Sequence, residues 1–104
     1  MSIQLLVGLV LLLQGSLRAD ELLQTAETVL AYQRSSGGWP KNYDREERLT
    51  ESRLQDLQAA RDQRDSTIDN GATHREIRIL AAAYKQSGDR RYLNAASRGI
   101  KYLI

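Results

Sequence analysis

The sequence predicts an all-α fold, part of an α/α toroid of helical hairpins and truncated within it. Three observations carry this. Apolar residues recur at three- and four-residue steps in three separate segments, the spacing that gathers them on one face of a helix. No segment shows the period-two alternation of a half-buried strand. A faint internal repeat links the first and third segments, with Ala26-x-x-Val29-Leu30-x-Tyr32 matching Ala96-x-x-Gly99-Ile100-x-Tyr102. Hairpins that recur in this way bury each face only against the next, as in a toroid. The first copy runs directly into Gly37-Gly38-Trp39-Pro40, whereas the second reaches Ile104 before an equivalent turn. The last stripe also ends without a cap, so the chain reads as a piece of a longer toroid. Alone, with its partner-facing stripes uncovered, it is expected to be poorly folded or self-associating.

Residues 1–19 read as a signal peptide. The run Leu5–Leu13 is apolar and unbroken but far shorter than the ~20 residues a membrane-spanning helix needs, and Ala19 offers a small residue before a cleavage point ahead of Asp20. The remainder, 20–104, is the candidate domain. Its first helix opens on Asp20 and Glu21, acids suited to a helix N-terminus, and carries Leu22, Leu23, Ala26, Val29 and Leu30 on one face. Ser35–Pro40 ends it, because paired glycines reach angles other residues avoid and Pro40 cannot continue a helix interior. From Asp44 to Asp65 the chain is densely charged, with only Leu54, Leu57 and Ala60 recurring, which predicts an exposed excursion holding one short helix. Asp69–Thr73 interrupts the pattern before Ile77, Leu80, Ala81 and Tyr84 form a second stripe, closed by Gly88. Asp89 caps a third helix whose stripe is Tyr92, Ala95, Ala96, Gly99, Ile100 and Leu103.

Composition bounds the function classes. At 104 residues and 41% hydrophobic content the chain has the size of one domain. Its 15 basic and 13 acidic side chains are intermingled, with no block of like charge, so a nucleic-acid partner is not expected. The absence of cysteine excludes disulfide scaffolds, thiol catalysis and thiolate zinc sites.

Two motifs stand out: Tyr32-Gln33-Arg34-Ser35-Ser36-Gly37-Gly38-Trp39-Pro40-Lys41-Asn42-Tyr43-Asp44 and Ser66-Thr67-Ile68-Asp69-Asn70-Gly71-Ala72-Thr73. Glu76-Ile77-Arg78 and Gly88-Asp89-x-Arg91-Tyr92 follow. This ordered set resembles the opening of the pectate lyases of polysaccharide lyase family ten, over most of the chain from about Leu22 to Leu103. Tyr43 and the Arg- and Gln-rich stretch 46–65 depart from the family pattern.

The resemblance implies β-elimination on de-esterified polygalacturonan, with Ca2+ as cofactor and a pectate substrate as partner. Calcium next to the uronate carboxylate stabilises the charge that builds up when the adjacent proton leaves. It further implies Asp69 as a metal ligand, Asn70 and Thr73 as substrate-binding contacts, and an arginine base beyond this chain, not Arg75, Arg78, Arg90 or Arg91. Because calcium takes six to eight oxygens, the chain alone is expected to bind it poorly and to be inactive. The implied location is secreted or periplasmic, with no membrane association after signal removal and a monomeric full-length enzyme.

Other readings of the same residues stay open. Asp69-Asn70-Gly71 is a common turn sequence and Thr73 with Glu76 makes a capping box, so this motif can simply start a helix; the two roles are compatible. Trp39 serves either as core or as a sugar-stacking platform, with core the stronger expectation, and Lys41 and Asn42 either meet a carboxylate or stay solvated. His74 gives no dyad and no metal cluster. Gln33-x-x-x-Gly37-x-Trp39 also matches the QW repeat of triterpene cyclases, whose α/α barrels use it to brace successive helices. A non-enzymatic helical adaptor or carbohydrate-binding module is the third class.

Overall fold

A computed structural model describes the backbone from Ile3 to Ile104 and the side chains from Arg18 onward, so the expected signal segment, 1–19, lies almost wholly outside the described side chains. Four α-helices follow in order: α1 (Ile3–Tyr32), α2 (Glu51–Ala59), α3 (His74–Ser87) and α4 (Arg90–Leu103). Among the described residues there is no strand; a single antiparallel bridge joins Trp39 to Thr67. The all-α expectation therefore holds. The expected helix start at Asp20 does not: α1 runs through it without a break, since Leu-rich sequence favours helix and neither proline nor a glycine pair separates the two segments.

The helix ends elsewhere follow their local chemistry. Gly88 closes α3 in the left-handed conformation at φ 73°, and its N–H donates to the Tyr84 carbonyl. Asp89 then caps α4 by accepting from the Arg91 N–H at 3.0 Å. Inside the charged excursion, the Thr50 hydroxyl accepts from the Arg53 N–H and starts α2, which buries only Leu57. The expected short helix thus helps to tie this polar stretch to the core through Leu57.

The core is laid down where α1, α3 and α4 meet, α3 packing most extensively on α4 and then on α1. Ala26, Val29, Trp39, Leu80, Ala83 and Ala95 are fully buried there. Trp39 settles on the core side of its two readings. Its indole N–H donates to the Val29 carbonyl at 2.8 Å, one of the last carbonyls of α1 and so without a partner in the helix. Its ring lies over Gly99, where an added Cβ would come within 2.8 Å of Trp39 Cζ3 and of Ile77 Cγ1.

Gln33 braces the same junction. Its amide N–H2 donates to the carbonyls of Gly37 at 3.0 Å and Ala95 at 2.9 Å, and its carbonyl accepts from Arg98 at 3.0 Å. Gly37, at φ 98°, brings its Cα so close to α4 that a Cβ would sit 2.4 Å from the Arg98 carbonyl oxygen. The Gln-Gly-Trp motif is therefore a packing device. In the internal repeat, Ala26 and Ala96 are buried in both copies, while Ile100 stands half exposed where Leu30 is partly covered.

Filling the Gly99 contact is the direct test of this packing. Gly99→Ala should destabilise the protein by about 1–3 kcal/mol through overpacking against Trp39 and Ile77, read as a lower denaturation midpoint; an unchanged midpoint would show that the ring does not press on α4.

Candidate functional site

Two non-helical segments, 36–41 and 66–68, meet beside the helical core at the single antiparallel bridge between Trp39 and Thr67. Ser36 and Ser66 meet through their hydroxyls at 2.7 Å, Thr67 N–H donates to the Trp39 carbonyl at 3.0 Å, and Lys41 Nζ lies 3.6 Å from Asp69 Oδ2. A single 3-10 turn, Asp69–Gly71, then leads to α3. Asn70 occupies the left-handed region at φ 55°, which Asn tolerates better than most residues, and Gly71 follows at φ 79°. The turn expected from Asp-Asn-Gly is therefore present, and it throws Asp69 and Asn70 outward. The Asp69 side chain is 66% exposed, and Asn70 is exposed as well.

Thr73 is placed differently. It is fully buried and adopts φ 71°, ψ −51°, a conformation costing roughly 1–3 kcal/mol for a β-branched residue. The surrounding hydrogen bonds hold it there. Its hydroxyl donates to the Thr67 carbonyl at 2.8 Å and accepts from the Trp39 N–H at 3.1 Å, while its own N–H donates to Glu76 Oε1 at 2.9 Å. The capping box of Thr73 and Glu76 is thus formed. With its side chain covered, Thr73 locks the turn that carries Asp69 and Asn70.

Glu76 is the buried charge behind the turn. None of its surface is exposed, and its other oxygen accepts from the Tyr43 hydroxyl at 2.8 Å and from Arg45 Nε at 2.6 Å. An ionised carboxylate can remain in such surroundings because a guanidinium, a phenol and a backbone amide all donate to it, at the N-terminal end of α3. Burial, and next the Glu76 charge, raise the Tyr43 phenol well above its ordinary value. Tyr43 also stacks on Tyr32, with ring centroids 4.1 Å apart, so the network fastens the 43–45 loop to both α1 and α3.

The rim around Asp69 is cationic. Lys41 flanks it on one side, and Arg75 crosses the turn on the other, its Nη2 lying 3.4 Å from the Asn70 carbonyl oxygen. The Lys41–Asp69 pair is exposed at both ends and contributes little to stability, which leaves both groups available to a ligand. Arg75 lacked any motif signal, because only its position in the first turn of α3 brings it over Gly71. His74 is exposed beside it.

Two of the described arginines hold their protons more firmly than usual. Arg91 is held so by its bonds to Asp89 and then to Glu27, and Arg53 by Tyr32. As a calcium site the described residues are incomplete. Asp69 brings one carboxylate where calcium takes about six to eight oxygens, and no group of three or more His, Cys, Asp or Glu side chains gathers among the described residues.

A family model described as pectic acid lyase matches residues 33–104, taking in the Gln33–Trp39 brace, the Asp69 turn, α3 and α4. No curated protein and no solved structure matches the chain. Among the described residues no helix is long and apolar enough to cross a membrane.

Removing the buried carboxylate should be costly. Glu76→Ala leaves three donors without their acceptor and should lose about 3–5 kcal/mol, with Glu76→Gln intermediate; equal stability of all three proteins in denaturant titrations would refute the clamp. The raised tyrosines give a pH signature of defined sign. Tyr92, pushed up to about 12 by burial and then by Glu27, and Tyr43, raised further, contribute stability that is complete below the unfolded value near 10. That stability drains away as pH climbs above about 10, so the urea midpoint should fall over this range in the wild type and fall less steeply in Tyr92→Phe.

Proposed function

Because the chain belongs to the pectic acid lyase family, we infer that it forms part of a calcium-dependent pectate lyase that cleaves de-esterified polygalacturonan by β-elimination. In that reaction a base takes the proton from the carbon bearing the uronate carboxylate. The electron pair forms a carbon–carbon double bond as the neighbouring glycosidic C–O bond breaks, and the leaving oxygen is protonated. The observation that supports assigning a part of this site here is the outward Asp69-Asn70 turn, rimmed by Lys41 and Arg75 and fixed from beneath by Thr73 and Glu76.

In this reading Asp69 is one ligand of the metal and Asn70 contacts the substrate. Thr73 contributes by holding both in register. Calcium bound beside the uronate would supply charge withdrawal from the acidic carbon. Its remaining ligands come from substrate, water and carboxylates other than those described, and the base is an arginine elsewhere in the enzyme. Lys41 and Arg75 offer their charges to the polyanion, which they attract through long-range as well as contact electrostatics. Secretion or periplasmic export suits a polymeric substrate that cannot enter a cell, and a monomer is the expected form of the complete enzyme.

The test is release of unsaturated uronate from polygalacturonate, followed by its ultraviolet absorbance, in the complete lyase carrying this segment. Activity should vanish with chelator and return with calcium, and Asp69→Ala should lower kcat/KM by at least about 100-fold, the scale of losing one transition-state electrostatic contact. Full activity in the Asp69→Ala enzyme would remove Asp69 from the site. The 104-residue chain assayed alone should release no product.

A further inference from the structure

The turn Asp69-Asn70-Gly71-Ala72 is closed by the Ala72 N–H, which donates to the Asp69 carbonyl at 3.0 Å. Both central residues have positive φ, Asn70 at φ 55°, ψ 31° and Gly71 at φ 79°, the pattern of a type I′ turn. The related type II′ turn keeps the positive φ of the first central residue and the same closing bond. Only the Asn70–Gly71 peptide has to turn over to convert one into the other, and Gly71 accepts either sign of φ.

That rotation matters to the Asn70 side chain. At ψ 31° the Gly71 nitrogen lies across the Cα–C bond from Cβ; at the ψ of about −120° that a type II′ turn requires, it swings to the Cβ side and within bonding reach of the side-chain amide carbon. Little opposes the swing. Asn70 is exposed, Gly71 adds no side chain beside the moving nitrogen, and the carbonyl that must turn is held by one exposed group, Arg75 Nη2, at a long 3.4 Å. The ends of the turn stay in place meanwhile: the Asp69 N–H donates to the Thr67 hydroxyl at 3.1 Å, and Ala72 and Thr73 are buried. Lys41 and Arg75 surround the spot with positive charge, which favours both an amide nitrogen that is losing its proton and a carboxylate product.

The two other asparagines lack this freedom. Asn42 shares the left-handed backbone at φ 66° but precedes Tyr43, whose ring is stacked on Tyr32 and whose hydroxyl is bonded to Glu76. Asn94 lies inside α4, where turning its peptide would break helix hydrogen bonds.

We propose that Asn70 is a site of spontaneous covalent modification, with water as the co-reactant. The Gly71 nitrogen gives up its proton and bonds to the Asn70 amide carbon; the side-chain carbon–nitrogen bond breaks, and ammonia leaves with that proton. The resulting succinimide takes up one water at either of its carbonyl carbons. Opening at the side-chain carbonyl gives aspartate, and opening at the main-chain carbonyl gives isoaspartate, whose backbone is one methylene longer. Either product sets a second carboxylate beside Asp69, between Lys41 and Arg75. Isoaspartate also lengthens a turn whose far end, Thr73, is fixed. The step needs only the turn and water and does not rest on the lyase reading.

Incubation of the full 104-residue chain in neutral buffer, well below its melting transition, followed by digestion, chromatography and mass spectrometry of the peptides, tests this. The peptide holding Asn70 should gain the mass of an amide-to-acid exchange and split into aspartate and isoaspartate isomers. It should do so at least about tenfold faster than those holding Asn42 or Asn94, the ratio given by one hydrogen bond of hindrance, about 1.4 kcal/mol. Asn70→Gln should abolish the change at that peptide, because the longer side chain no longer closes a five-membered ring. Conversion only in the urea-unfolded chain would overturn the proposal by showing that the folded turn does not flip. Aspartate without isoaspartate, or equal rates at all three asparagines, would overturn it too.

Discussion

The buried carboxylate of Glu76 is the constraint on which the rest of the site depends. A charge with no exposure survives only if its donors are fixed, and here the donors come from two separate parts of the chain: Thr73 from the turn, Tyr43 and Arg45 from the loop after Trp39. The carboxylate therefore dictates where these segments sit relative to α3. The cost of the unusual Thr73 backbone is offset by the three hydrogen bonds that the residue makes. The result is a stiff turn whose inner side is closed and whose outer side carries an acid, an amide and two flanking cations.

The tryptophan junction does for the helices what Glu76 does for the loops. One residue satisfies the end of α1 with its indole N–H, joins the 66–68 segment with its backbone and fills the space left by Gly99 on α4. Gln33 adds bonds to α4 from the same corner. Rigidity at this surface is thus inherited from the core, and a polymer lying there would meet preformed groups and not pay to order them.

Much of this was legible in the residues. Helical periodicity, the glycine stop at Gly88 and the cap at Asp89 are local signals, because their causes lie within a few residues. Asp69-Asn70-Gly71 announced its turn, and Thr73 with Glu76 announced the box. What the sequence could not disclose was non-local. Nothing around Glu76 says that Tyr43 and Arg45, more than thirty positions away, would make its burial tolerable. Nothing around Thr73 says that it faces inward while its neighbour Asn70 faces out. The continuity of α1 through Asp20 was misread because acids that favour a helix start are also tolerated inside one.

The central claim is that the clamped turn presents Asp69 to a uronate. A crystal structure of the complete enzyme with an oligogalacturonate and calcium bound tests it most directly. The account predicts Asp69 on the metal or the sugar carboxylate and Asn70 within hydrogen-bond reach, with Thr73 still buried under the turn and bonded to Trp39. A saccharide held elsewhere, with Asp69 facing only solvent and Lys41, would contradict it.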